Sequence, residues 1–328
     1  MDLTQSYPNI ISYKILNEYI ENKINSEYFE NLHLINDTII IMNKSCDQNI
    51  KDDELDIDKM DVDMDIDEEN EDVWESAIND NKFYINNKIA RIFPVLKNFN
   101  NFSKIKIDDD SFCYITIREI ADIISKIICY HLLEHNLNPL KCIIADYTSG
   151  VGGNILSFSK FFKLVYAIEL DKIRVEYLKN NIDVYGYKNI KVINGCAIEF
   201  NNNKLIESNP NIIFIDPPWG GSGYKNSDSL TLKLGSINLE ELVIDIVDKF
   251  SKHYIDITNF NPKEKHNNYN NKFIILKLPK NYDIEYFYNY IKKKNIFENY
   301  NICLYLYVLN KMIIIVCELQ YKYIIKII

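Results

Sequence analysis

The stretch KCIIADYTSGVGGN, residues 141–154, sets a short apolar run ending on an acid against three closely spaced glycines. Ile143, Ile144 and Ala145 have the character of a buried strand, and a helix is expected to start at Asn154. Glycine tolerates the left-handed backbone that a tight strand-to-helix turn needs, and it lets a ligand come close to a helix N-terminus. The same alternation continues downstream. LVYAIEL, a helix over Asp171–Tyr185, KVING, NIIFID, a helix over Leu239–Phe250, FIILKL and a helix from about Tyr282 to Lys293 follow in turn. ICLYLYVL and MIIIVCEL come last, joined by too few residues for anything but a hairpin. Strand–helix alternation demands crossover connections, hence an α/β fold with a mostly parallel sheet and a C-terminal antiparallel hairpin. A further helix is expected over Thr116–Glu134, upstream of the first strand, from its apolar spacing.

Charge divides the chain unevenly. The net value of −10 comes from residues 52–75, DDELDIDKMDVDMDIDEENEDVWE, which hold 14 acids and one lysine. Residues 76–328 carry 26 acids against 32 bases, so the body is basic, in keeping with an anionic ligand such as RNA. Packed like charges oppose folding, so the acidic run is expected to be a solvated linker and a candidate tether for a protein partner. Its Asp-x-Asp repeats suggest a calcium loop, but no glycine occurs before Gly150, and such a loop needs one. The expected organisation is an N-terminal appendage (1–50) with an amphipathic pattern in YKILNEYIENKI, the acidic linker (51–76), a helical extension contributing to the substrate site (77–137) and the main domain (138–328). Seven dispersed cysteines, no signal peptide and no membrane-length apolar run suggest a soluble intracellular protein of nucleus or cytoplasm (a cytoplasmic factory if viral).

Two acids mark a nucleoside cofactor. Asp146 precedes the glycines Gly150, Gly152 and Gly153, and Glu169 ends the next strand, where an acid can accept from both ribose hydroxyls. GxGG in place of GxGxxG, with an acid before it, suits the cationic S-adenosylmethionine (SAM) better than a pyrophosphate. At the end of the fourth strand stands Asp216-Pro217-Pro218-Trp219, of the (D/N/S)PP(Y/F/W) type. Methylating a conjugated amine requires an acceptor for its N–H groups and an aromatic ring that holds the base in line with the methyl group. Tryptophan suits a cationic base best, and 7-methylguanine is one. The histidine pair of HLLEH (131–135) matches a zinc-protease pattern, but it precedes the first strand of a different fold, and a helix end with dipole-favoured histidines is the better reading. No metal is expected.

These motifs together resemble the trimethylguanosine synthase family, RNA cap guanine-N2 methyltransferases. DYTSGVGGN is similar to the family's D-A-F-C-G-V-G-G-N, AIELD to A-I-D-I-D, KNNIDVYG to R-N-N-A-E-V-Y-G, DPPWGGSGY to (S/D)PPWGGPxY and LPKNYDIE to LPRNxDI. FSKIKIDDDSFCYITIREIA is similar to the stretch leading into S-V-T-P-E-K-I-A. The resemblance implies a Rossmann-like class I SAM-dependent methyltransferase acting on 7-methylguanosine-capped RNA, with S-adenosylhomocysteine as product. It implies Thr116, Asp146, Gly150, Gly152, Gly153, Asn154, Glu169, Cys196 and Ala197 at the cofactor. It also implies Trp219 stacked on the base, Asn181 at the base's edge, Asp216 at the amine and Lys280 toward the cap phosphates. The polar segment GSGYKNSDSLTLKLGS (221–236) reads either as a lid carrying Tyr224, Lys225 and Lys233 to those phosphates or as a solvated loop. Three positions depart from the pattern: Gly195-Cys196-Ala197 lacks the acid expected after the third strand, Ser222 replaces a proline, and Thr116-Ile117-Arg118 replaces T-P-E. The alternatives are a methyltransferase for internal guanine-N2 or adenine-N6, and a catalytically weak cap-binding subunit.

Overall fold

The computed structural model describes residues 9–12, 38–41, 88–260, 272–294, 300–309 and 311–321. The amphipathic pattern near residues 13–24, the acidic run and Trp74 lie outside them. Asn9–Ser12 and Thr38–Ile41 pair as a small antiparallel ribbon.

Seven strands form the main sheet: β1 (Ile143–Asp146), β2 (Leu164–Glu169), β3 (Ile190–Asn194), β4 (Ile212–Ile215), β5 (Lys272–Pro279), β6 (Tyr300–Val308) and β7 (Met312–Tyr321). Their order is β3-β2-β1-β4-β5-β7-β6. Pairing is parallel from β3 to β5 and antiparallel on either side of β7. The chain is therefore a Rossmann-like α/β protein of the methyltransferase type, as the strand–helix alternation indicates. Between β1 and β4 the connections diverge to opposite sides, which opens a crevice at the strands' C-terminal ends, the general ligand site of such sheets.

Among the described residues, six longer helices cover the sheet: α1 (Arg118–Glu134), α2 (Gly153–Phe161), α3 (Lys172–Tyr185), α4 (Ala197–Asn203), α5 (Leu239–Phe260) and α6 (Ile284–Lys294). The β pleat divides the core into two. Ile212 and Phe214 of β4 join Ile144, Phe158, Phe273 and Val316 on one face, while Ile213 and Ile215 join Ile168, Val243, Ile274 and Leu276 on the other. β4 is buried throughout, as expected for a central strand covered on both sides. α5 runs ten residues beyond the expected Phe250, because nothing in 251–260 breaks a helix until Pro262 approaches.

Upstream of β1, a 3-10 turn (Phe99–Lys104) and a short helix (Asp109–Tyr114) lead into α1. Phe93 and Phe102 anchor this extension in the core with the inner side of α1. No helix of the described residues is long and apolar enough to cross a membrane.

Candidate active site

The glycine loop has the conformation that its sequence calls for. Gly150 (φ 51°) and Gly152 (φ 111°) take left-handed backbone, and Gly152 caps α2. Gly153 meets a different demand. A Cβ there would lie 2.7 Å from Ile115 Cγ1 and 2.8 Å from the Thr116 carbonyl oxygen, so the extension runs directly over the loop.

Asp146 ends β1 fully buried. Its Oδ1 accepts from the Thr148 amide at 2.8 Å and from the Thr148 hydroxyl at 3.3 Å, while Oδ2 is buried without a partner. Burial pushes its proton affinity up to about 8; the nearby charges of Asp216 and Glu169 add to this, and the Thr148 hydrogen bonds oppose it. A buried, unpartnered carboxyl oxygen beside a glycine loop suits a cationic ligand group. Glu169 is held by two amides, Gly150 N–H on Oε2 and Asp171 N–H on Oε1, both at 2.8 Å. Each oxygen keeps acceptor capacity for a further donor. Asn154 donates to Thr116 Oγ1 at 3.1 Å, and its own Oδ1 is buried without a partner.

The acceptor side begins one hydrogen bond away. The Asp216 amide donates to Thr148 Oγ1 at 2.8 Å, so one hydroxyl joins Asp146 to the DPPW segment. The Asp216 carboxylate, 16% exposed, accepts from Lys277 Nζ at 2.6 Å. Burial raises its proton affinity, and the Lys277 charge pulls it back. Pro217 is buried and Pro218 exposed, and Gly220 (φ 94°) and Gly221 (φ 68°) turn the chain into a 3-10 helix, Gly221–Asn226. Trp219 is half-buried against the core, with the Tyr224 ring edge-on at 5.2 Å and the Lys277 ammonium 5.1 Å from its ring centroid. Its indole N–H favours the Asp216 carboxylate electrostatically but lies outside hydrogen-bonding geometry, leaving a buried donor unpartnered.

A family model described as RNA cap guanine-N2 methyltransferase matches residues 141–320. The chain belongs to this family. A relative, an uncharacterized protein of Acanthamoeba polyphaga mimivirus, is 36% identical over 62% of this chain and 78% of its own length. Trimethylguanosine synthase of Schizosaccharomyces pombe is 28% identical over 41% of this chain, which spans 56% of that protein. Among solved structures, M. jannaschii TYW2 in complex with AdoMet overlays with a TM-score of 0.35 at 12% identity, covering 58% of this chain and 76% of that one.

The other residues expected from sequence in this cap methyltransferase family member fall into two groups. Cys196 is the half-buried N-cap of α4 and Ala197 its buried first residue, with no acid at either position. The neighbouring amide of Gly195 and the side chain of Asn194 both donate to the Glu169 carbonyl. Lys280 is exposed just past β5. Asn181 does not present a free edge. It is fully buried, donating to the Lys106 and Val151 carbonyls at 2.8 and 2.9 Å and accepting from the Lys106 amide at 2.8 Å. Its geometry is that of a clamp between the extension and the glycine loop.

Three residues of the site escaped sequence reasoning. Asn281, in the LPKN motif, donates to the carbonyls of Tyr224 (2.7 Å) and Ser227 (2.6 Å) and pins the loop after Trp219. Thr148, inside DYTSGVGGN, and Lys277, outside every motif, are the others. Within segment 221–236, beyond the 3-10 helix, Lys233–Leu234 pairs with Ile237–Asn238 across a turn containing Gly235 (φ 60°). The HLLEH histidines are structural, with His131 Nε2 2.7 Å from the Tyr307 hydroxyl and His135 paired to the buried Glu318 at 2.5 Å. Among the described residues no cluster of His, Cys, Asp or Glu has the form of a metal site.

Proposed function

We propose that this protein transfers a methyl group from SAM to the guanine N2 amine of 7-methylguanosine-capped RNA. The observation that carries this reading is the Thr148 bridge, which links a carboxyl with an unpartnered buried oxygen to the DPPW segment. SAM, when bound, supplies an electrophilic methyl group on a cationic sulfur. Asp146, the Gly150–Asn154 loop, Thr116, Glu169 and the Cys196–Ala197 turn would hold it. Leu170, 70% exposed directly after Glu169, offers an apolar surface for the adenine.

On the acceptor side, Trp219 stacks on the base, and its π face favours the positive charge of 7-methylguanine. Tyr224 and Lys280 face the cap phosphates. Asp216 accepts an N–H of the amine, which draws the nitrogen lone pair toward the methyl group. Bond formation leaves that nitrogen with an excess proton, which the same carboxylate can take up. The donor carbon and the amine need near-linear alignment, and two binding sites joined by one short hydrogen-bond chain suit that need.

The test is transfer of labelled methyl to two dinucleotide caps, one with and one without the 7-methyl group. Transfer to the methylated cap alone is expected, and equal transfer to both or none to either would sink the cap reading. Trp219→Ala should abolish cap binding while keeping the dissociation constant for SAM within about a factor of two, since the ring's aromatic and cationic partners, Tyr224 and Lys277, are on the acceptor side.

A further inference from the structure

Lys277 is an unusual residue for its position. It lies on β5, where every residue from Lys272 to Pro279 is buried, and only 5% of its own side chain is exposed. Leu276 and Leu278 on either side fill the apolar core, and an aliphatic residue at 277 would serve packing equally well. Burying an ammonium costs several kcal/mol unless it is paired with good geometry. Here the partner is the carboxylate at the head of the DPPW motif, 2.6 Å away, and the same ammonium lies over the Trp219 ring at 5.1 Å. One cation thus touches both acceptor-side groups.

We propose that Lys277 is a positioning residue of the acceptor site, holding Asp216 ionised with Oδ2 tied and Oδ1 left for the amine, and covering one face of Trp219 so that a base can stack only on the other. The inference rests on the proposed methyl transfer and adds to it the reason why an aspartate can work there. Burial favours the protonated form of a carboxyl this deeply set, and a protonated carboxyl cannot take up the amine's proton. The charged group that acts on it is Lys277 from β5, with the Trp219 N–H as a polar neighbour; Asp146 at the end of β1 lies near enough for the Asp216 charge to raise its own proton affinity. Burial raises the proton affinity of Asp216 and Lys277 lowers it, so removing Lys277 moves the ionisation to higher pH.

The pairing also predicts a rescue. A serine at 216 is a neutral acceptor that needs no counter-ion, but beside Lys277 it would leave a buried ammonium alone. Asp216→Ser should therefore be poorly active, and Asp216→Ser combined with Lys277→Met should recover at least about tenfold in kcat. Lys277→Met alone should lose about a hundredfold in kcat at pH 7, and the acidic limb of its rate profile should move up by about one pH unit or more. Its SAM affinity should change little. Lys277→Arg keeps the charge and should keep the wild-type limb, which covers the case in which Lys277→Met does not fold.

Carbon-13 NMR titration of the Asp216 carboxyl in wild type and the Lys277 variants gives a readout that needs no acceptor. If wild type methylates no cap but the Asp216 titration shifts upward on loss of Lys277, the cap reading fails and the pairing stands. An unshifted titration, or a double variant no more active than Asp216→Ser, would overturn the proposal.

Discussion

Replacing Asp146 by asparagine should stabilise the ligand-free protein at neutral pH while removing its grip on the methyl donor. The carboxyl is fully buried, with one oxygen on Thr148 and the other unpartnered, and its proton affinity rises from the ordinary 3.8 to about 8. Between those values the unfolded chain has released a proton that the native state still holds. Stability therefore falls as pH rises through that window, and is flat below and above it. At pH 7 the gap is roughly three pH units, about 4 kcal/mol as an upper bound, because water penetration and local relaxation shrink it. Asparagine keeps an acceptor for Thr148 but leaves an N–H unpartnered, which returns about 1–3 kcal/mol. The net expectation is a gain on the order of 2 kcal/mol, several degrees in Tm for a domain of this size. Urea denaturation of both proteins at pH 5 and pH 8 measures it: the advantage of Asp146→Asn should appear at the higher pH and shrink at the lower. Titration calorimetry should find SAM binding to the variant weakened at least about a hundredfold, since a cation would lose its counter-charge. Wild-type affinity should itself drop as pH falls below 8, by at most about tenfold per unit, because binding must displace the Asp146 proton. Equal stability of the two proteins at pH 8, or unchanged SAM affinity in the variant, would refute the assignment of Asp146.

Two other changes test how the site is held. Gly153→Ala pushes a methyl group into Ile115 and Thr116 and should cost about 1–3 kcal/mol in a thermal or urea melt, with weakened SAM binding because the extension is forced off the loop. Asn281→Ala frees the carbonyls of Tyr224 and Ser227 and loosens the loop after Trp219. We expect KM for a capped dinucleotide to rise severalfold, with the SAM dissociation constant unchanged and global stability reduced by about 1–2 kcal/mol.

The elements of the main sheet were legible because each strand is an apolar run and each helix an apolar stripe of different period, so Ile212–Ile215 and Arg118–Glu134 announce themselves. Strand order was not legible from the runs alone, since nothing local tells β4 to lie between β1 and β5. Asp146, the glycines and DPPW stand out in the sequence because their chemistry is compressed into contiguous motifs. Lys277 was missed for the opposite reason. Within FIILKL a lysine looks like a strand residue turned to solvent, and its meaning depends on Asp216, 61 positions earlier in the chain. Asn181 shows a related limit: a motif gives the residue and its neighbourhood, but not that its amide is already engaged by Lys106 and Val151.

The charge balance of the crevice gives the two proposed ligands a common rationale. Asp146, Glu169 and Asp216 gather at the ends of β1, β2 and β4, and Lys277 is the ammonium in direct contact with this set. Were all three acids ionised with only that counter-charge, the site would be strongly disfavoured; the proton affinity of Asp146 is raised first by its burial and then by the charges of Asp216 and Glu169. A cationic sulfonium with its amino group and a cationic base would each supply what the crevice lacks, so a site built this way selects positively charged partners on both sides of Thr148. Methyl transfer then removes the charge from the donor, which weakens its attraction to Asp146 at the moment the reaction is complete. On this argument product release is favoured by the chemistry itself, and S-adenosylhomocysteine should bind less tightly than SAM above pH 8, where Asp146 is ionised, with the difference narrowing at lower pH. Equal pH dependence for the two would show that Asp146 does not sense the sulfonium charge.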